Sequence, residues 1–133
     1  MAIIAAKADS IENFDQLMEF VRDPKTNLPV LSPSRFSTLL NIDLKTLASQ
    51  AHVHRNTLRL SPQSQTIQNF MREIIRVLRA ASDISGNVPK TLFWYRNEPL
   101  PVFGYKTAER LVEEGRTDDV IRYLSSLSAG AAG

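Results

Sequence analysis

Apolar residues along this chain recur three and four positions apart rather than two, the spacing that lines them up on one face of an α-helix. Ile11, Phe14, Leu17, Met18 and Val21 form one such stripe, with Asp9 or Ser10 placed to cap it and Pro24 and Pro29 to end it. Ser32 followed by Pro33 pairs an N-cap with a first-turn proline, which opens a helix through Phe36, Leu39 and Leu40. Residues 42–60 read as two short helical pieces, closed by Pro62, whose ring removes a backbone donor. Ile67, Phe70, Met71, Ile74, Val77, Leu78 and Ala81 then mark a long helix over about 64–82. A break at Gly86 precedes one or two helical turns over 90–95, and the prolines and glycine of 97–104 predict a loop. Thr107 is placed to cap a helix that stops at Gly115, and Thr117 to cap a last helix with Val120, Tyr123, Leu124 and Leu127 inward and Asp118 and Asp119 in its first turn. No Asn-Gly or Asp-Gly hairpin signal interrupts this pattern. The expectation is an all-α protein, a small helical chain whose region 1–82 carries a helix-turn-helix and whose region 83–133 is a second helical unit.

The helix-turn-helix falls on residues 43–60. Two helices crossing steeply need a small residue where they touch and apolar anchors on both sides. Ala48 supplies the first, and Leu44, Leu47, Val53 and Leu58 the second, with Asp43 as cap. The spacing from Ala48 to Val53 to Leu58 is the one this motif uses. Its turn calls for positive φ four residues after the alanine, a place usually held by glycine and here by His52, which tolerates that region better than a β-branched residue. Residues exposed at the start of the second helix would enter a DNA major groove. The candidates are Lys45, His54, Arg55, Asn56, Thr57 and Arg59: arginine can donate two bonds to guanine, asparagine can pair with adenine, and Thr57 and Lys45 suit phosphates.

Charge distribution points the same way. Residues 31–79 hold seven basic side chains against two acidic ones, whereas 1–30 hold three against five and 80–133 six against seven. A nucleic-acid surface requires such a concentration of positive charge, and a solvated helix face tolerates one. With 133 residues, 43% of them hydrophobic and 23% charged, the chain can bury a core and is far from the composition of disorder. It has no cysteine, which excludes disulfides, thiolate metal sites and cysteine nucleophiles. Its two histidines, His52 and His54, sit two apart on a turn with no third ligand, so no metal or cofactor is expected and no catalytic residue is assigned. The apolar start at 1–6 lacks a basic leader and no run reaches the length of a membrane span, so a cytoplasmic protein that does not enter the membrane is expected.

The C-terminal third carries the most specific pattern: Trp94, Pro99-Leu100, Gly104, Lys106-Thr107-Ala108, Leu111-Val112, Glu114-Gly115-Arg116, Val120, Tyr123-Leu124 and a terminal Ala-Gly tail. Taken alone it is a small unit dense in aromatics and without catalytic groups, of the kind another protein grips. The pattern resembles the C-terminal toxin-binding domain of the Xre/MbcA/ParS antitoxin family, whose members pair an Xre-like helix-turn-helix with a domain that binds a RES-domain toxin, an enzyme that consumes or transfers from NAD. The resemblance implies an antitoxin that covers its toxin's active site and represses its own operon. It implies toxin contacts at Lys106, Thr107, Arg110, Leu111, Glu114, Gly115, Arg116, Tyr123, Leu127, Gly130 and Gly133. Partners would then be the toxin, operator DNA and, because the motif reads paired half-sites, a second copy of the chain. Two alternatives stay open: a stand-alone transcriptional regulator, and a toxin-binding protein whose helix-turn-helix touches no DNA.

Overall fold

The computed structural model describes residues 2–132, which form nine α-helices, one 3₁₀ turn and no strand. The chain divides into two compact units, Met1–Arg72 and Glu73–Gly133, so the division falls inside a helix, ten residues before the 82/83 boundary read from the sequence.

The first unit contains α1 (Ala2–Asp9), α2 (Phe14–Val21), α3 (Pro33–Leu40), α4 (Leu44–Gln50), α5 (Arg55–Leu60) and the start of α6 (Gln65–Ser85). Each of α1, α2 and α4 packs on α3, and α4 packs on α5. The cap of α2 corrects the sequence reading: Asn13, not Asp9 or Ser10, accepts the Gln16 N–H at 2.9 Å, while the Ser10 hydroxyl donates to the Lys7 carbonyl and closes the preceding helix. The Ser32-Pro33 start of α3 is as expected, with Ser32 Oγ accepting from Arg35 N at 3.2 Å.

The chain leaving α2 and the chain entering α3 pair briefly as antiparallel backbone, Asp23 N–H to Val30 O at 2.9 Å and Ser32 N–H to Val21 O at 2.8 Å. The side chain of Gln68 on α6 extends this pairing. Its Oε1 accepts from Leu31 N, and its Nε2 donates to both Leu31 O and Pro62 O, each at 2.9 Å. The amide is buried, and its three bonds satisfy both backbone groups of the buried Leu31 and the carbonyl of the half-buried Pro62.

The second unit contains the rest of α6, α7 (Val88–Asn97), the 3₁₀ turn Pro101–Phe103, α8 (Ala108–Glu113) and α9 (Thr117–Ala132). Asn87 caps α7 and Pro89 sits in its first turn. Thr107 caps α8, and Gly115, at φ 79°, takes the left-handed position after it. α8 packs on α7 and on α9. The last helix runs past Leu127 through Ala129, Gly130 and Ala131, because alanine is the strongest helix former and a lone glycine costs only about 1 kcal/mol.

Tyr95 on α7 is fully buried and its hydroxyl has no hydrogen-bond partner. Burial, reinforced by the Glu109 carboxylate, pushes the phenol pKa well above its ordinary 10. An unpartnered buried hydroxyl contributes a desolvation cost and no bond. Tyr95→Phe is therefore expected to hold or raise stability by about 1 kcal/mol, and a urea midpoint below wild type would show that the hydroxyl is bonded after all.

Candidate nucleic-acid and partner interfaces

In the first unit the residues at the turn build the helix-turn-helix locally. Asp43 caps α4 by accepting the Thr46 N–H at 2.7 Å, and bonding from Thr46, with help from the Lys45 charge, holds its carboxyl below the usual carboxylate range. That contribution is present above the unfolded pKa and fades as pH falls through the lowered folded value. Ala51 ends the helix, the Val53 N–H returns to Ala48 O at 3.0 Å, and His52 between them has φ 59°. The position the motif reserves for positive φ is thus where the left-handed residue stands. His54 then caps α5, its Nδ1 accepting from Asn56 N at 3.1 Å, which leaves Nε2 as the donor of the neutral ring.

Leu47, Ala48 and Leu58 are buried under this turn, as the spacing requires, whereas Leu44 is exposed and Val53 half-buried. Lys45, His54, Arg55, Asn56 and Arg59 are exposed and Thr57 is half-buried. Lys45, His54 and Arg55 line one groove of about 450 Å³ with Ala48, Ser49 and Val53, while Asn56, Thr57 and Arg59 lie outside it. Among the described residues Lys45, Arg55 and Arg59 form no ion pair, so their charge is available to a ligand.

One of the seven basic residues of 31–79 is engaged by acids on α6 and α9. Arg76 donates to Glu73 Oε2 at 2.8 Å and to Asp118 Oδ1 at 3.0 Å, and these bonds raise its pKa. Its charge is already compensated within the second unit, partly by a residue on α9 that the helical pattern of α6 does not reveal.

The proposed toxin contacts separate into a surface network and its support. Lys106 Nζ donates to both oxygens of Glu114, at 2.9 and 3.0 Å, and Arg110 Nε donates to Glu114 Oε2 at 3.0 Å. These two cations, Lys106 first, hold the Glu114 carboxyl below its usual range. Arg116 Nε donates to Asp119 Oδ2 at 2.9 Å, and its guanidinium lies 5.3 Å from the centroid of the Phe103 ring, a cation–π distance. Tyr123 meets the same ring edge-on, with centroids 5.7 Å apart. Thr107 and Gly115 serve the ends of α8, and Leu111 is fully buried, so these three shape the surface from beneath or at its corners. Leu127 and Gly130 are exposed along α9, and Gly133 lies outside the described residues.

Three features carried little signal in the sequence. Arg96 Nε donates to Glu109 Oε2 at 3.1 Å, joining α7 to α8. Tyr105, whose aromatic ring and polar tip suit the rim of an interface, has φ 68°. A groove of about 800 Å³ runs beside α2, where the Arg35 guanidinium sits 5.1 Å from the Phe20 ring centroid and donates to the Phe20 carbonyl at 3.2 Å. Its lining mixes Lys7, Arg22 and Arg35 with Asp15, Glu19 and Asp23, so it favours neither sign of ligand.

Comparison with protein-family models, with characterised proteins and with solved structures gives no match. Among the described residues no helix is long and apolar enough to cross a membrane.

Proposed function

We propose that this chain is the antitoxin of a type II toxin-antitoxin pair, a cytoplasmic homodimer that neutralises a RES-domain toxin through its second unit and represses its own operon through its first. The observation that carries the DNA-binding half is the turn at His52: a residue that is not glycine holds φ 59° at the one place the motif needs it. Caps at Asp43 and His54 flank it, and exposed Arg55 and Asn56 follow. The toxin-binding half rests on the C-terminal resemblance, supported by a surface on which Lys106 and Arg110 bond Glu114 and Arg116 bonds Asp119, with Leu111 buried. Steric cover of the toxin requires no catalytic group from this chain.

One observation favours the reading in which the chain binds toxin and leaves DNA alone. α5 is only six residues long, which leaves a short recognition surface. The decisive experiment is a gel-shift titration at fixed salt with the DNA upstream of this chain's own gene. Arg55→Ala and Asn56→Ala are each expected to weaken binding by about 1–3 kcal/mol, one bidentate base contact, while toxin neutralisation persists. Wild-type affinity in both variants would remove these residues from the interface. Failure of the wild type to bind would leave the toxin-binding reading.

A further inference from the structure

We propose that Val102 and Tyr105 form a pre-shaped knob that enters an apolar pocket, rimmed by carboxylates, on a partner protein. The inference rests on the reading that the second unit grips a protein, and it names the element that docks. Leu100, itself buried, closes the loop at its base: its N–H donates to Lys106 O at 3.0 Å, and its carbonyl accepts from Phe103 N and Tyr105 N, both at 2.9 Å. Phe103 pins the loop from within, its ring meeting the edge-on Tyr123 ring and the Arg116 guanidinium. The tip is therefore held in one shape before any partner arrives, which lowers the ordering cost of binding.

What the loop displays is not explained by the fold. Gly104 and Tyr105 are both left-handed, at φ 66° and 68°, and only the glycine adopts that region without strain. The Tyr105 side chain is 70% exposed and Val102 is 68% exposed, so neither recovers burial energy to offset the strain or the solvation of its apolar surface. Glycine or asparagine at 105 would suit the backbone better. A strained, rigidly held, exposed tyrosine beside an exposed valine is the composition of an interface anchor, and tyrosine brings large contact area at low side-chain entropy.

The charges around the loop indicate the partner's rim. Lys106, Arg110 and Arg122 are each more exposed than the Glu114 and Asp119 carboxylates they bond, so cations face outward and acids lie beneath them. A pocket edged by Asp or Glu complements that arrangement, and its interior must be apolar and wide enough for a phenol ring.

The test uses the full chain with Tyr105→Asn and Val102→Ser, melted alone and titrated by calorimetry against the RES-domain toxin of the proposed pair. Tyr105→Asn is expected to keep or raise the melting temperature by a few degrees, Val102→Ser to leave it unchanged, and each to weaken toxin binding at least tenfold. A melting temperature several degrees lower for Tyr105→Asn would make the tyrosine a fold residue and overturn the proposal. Wild-type affinity in both variants would also overturn it while leaving the antitoxin reading intact. No binding by the wild type would bring down that reading and the knob with it.

Discussion

Leu111→Asp is expected to unfold the second unit at ordinary temperature. The side chain is fully buried in α8, a helix of six residues that has too few internal hydrogen bonds to persist without its packing against α7 and α9. Truncation of such a leucine alone costs about 2–5 kcal/mol, and a carboxylate with no partner adds several more. Their sum is comparable to the roughly 5–15 kcal/mol that holds a typical domain together. A buried aspartate has its folded pKa raised above about 4, so the variant regains part of its stability as pH falls through that range. Far-ultraviolet circular dichroism and a thermal melt of the full chain check the effect, with Leu111→Ala as the milder companion. A melt within a few degrees of wild type at neutral pH would contradict the packing of α8, and survival of toxin binding in an unfolded variant would contradict the assignment of the toxin surface.

Gln68→Leu is expected to destabilise the first unit by about 3 kcal/mol, because the change removes the partner of the buried Leu31 N–H and carbonyl and of the half-buried Pro62 carbonyl. The side-chain volume is nearly kept, so the loss reports the hydrogen bonds and not a cavity. Gln68→Glu is expected to be worse: a carboxylate cannot donate to the Leu31 and Pro62 carbonyls and places a charge beside two oxygens. A denaturant midpoint and hydrogen exchange at the Leu31 amide measure the two consequences, lower stability and faster exchange. Unchanged values for both variants would show that the amide does not bridge these segments.

Those two residues illustrate how differently the fold could be read beforehand. Leu111 belongs to a helix bracketed by Thr107 and Gly115, and its inward position follows from the three- and four-residue spacing. Gln68 is a polar residue beside the apolar stripe of α6, and nothing near it in sequence distinguishes it from the exposed Asn69. Its partner, Leu31, lies 37 residues away. The candidate DNA site was legible because a helix-turn-helix is a local motif: Asp43, Ala48, His52, Val53 and Leu58 fall within two consecutive short helices, the cap before them and the turn between them, and the positive φ at His52 follows from its place in the spacing. The free charge on the long helix was not, since Arg76 is compensated in part by Asp118 on another helix. The helix start at Asn13 was misread because Asp9, Ser10 and Asn13 all have the chemistry of a cap, and periodicity alone does not rank them.

By itself the sequence determined that this chain is all-α, where most of its helices begin and end, and where the left-handed turn between α4 and α5 falls. Each of those outcomes is decided by side chains within about one helical turn of one another, through capping, proline geometry and 3.6-residue periodicity. Only the tertiary structure decided that Gln68 bonds the chain at Leu31, that Arg76 meets Asp118, and that Phe103 is lodged by Tyr123 and Arg116 beside an exposed, left-handed Tyr105. These depend on packing that brings distant segments together, and the energy of a buried bond or a pinned ring exists only after that packing has excluded water from it.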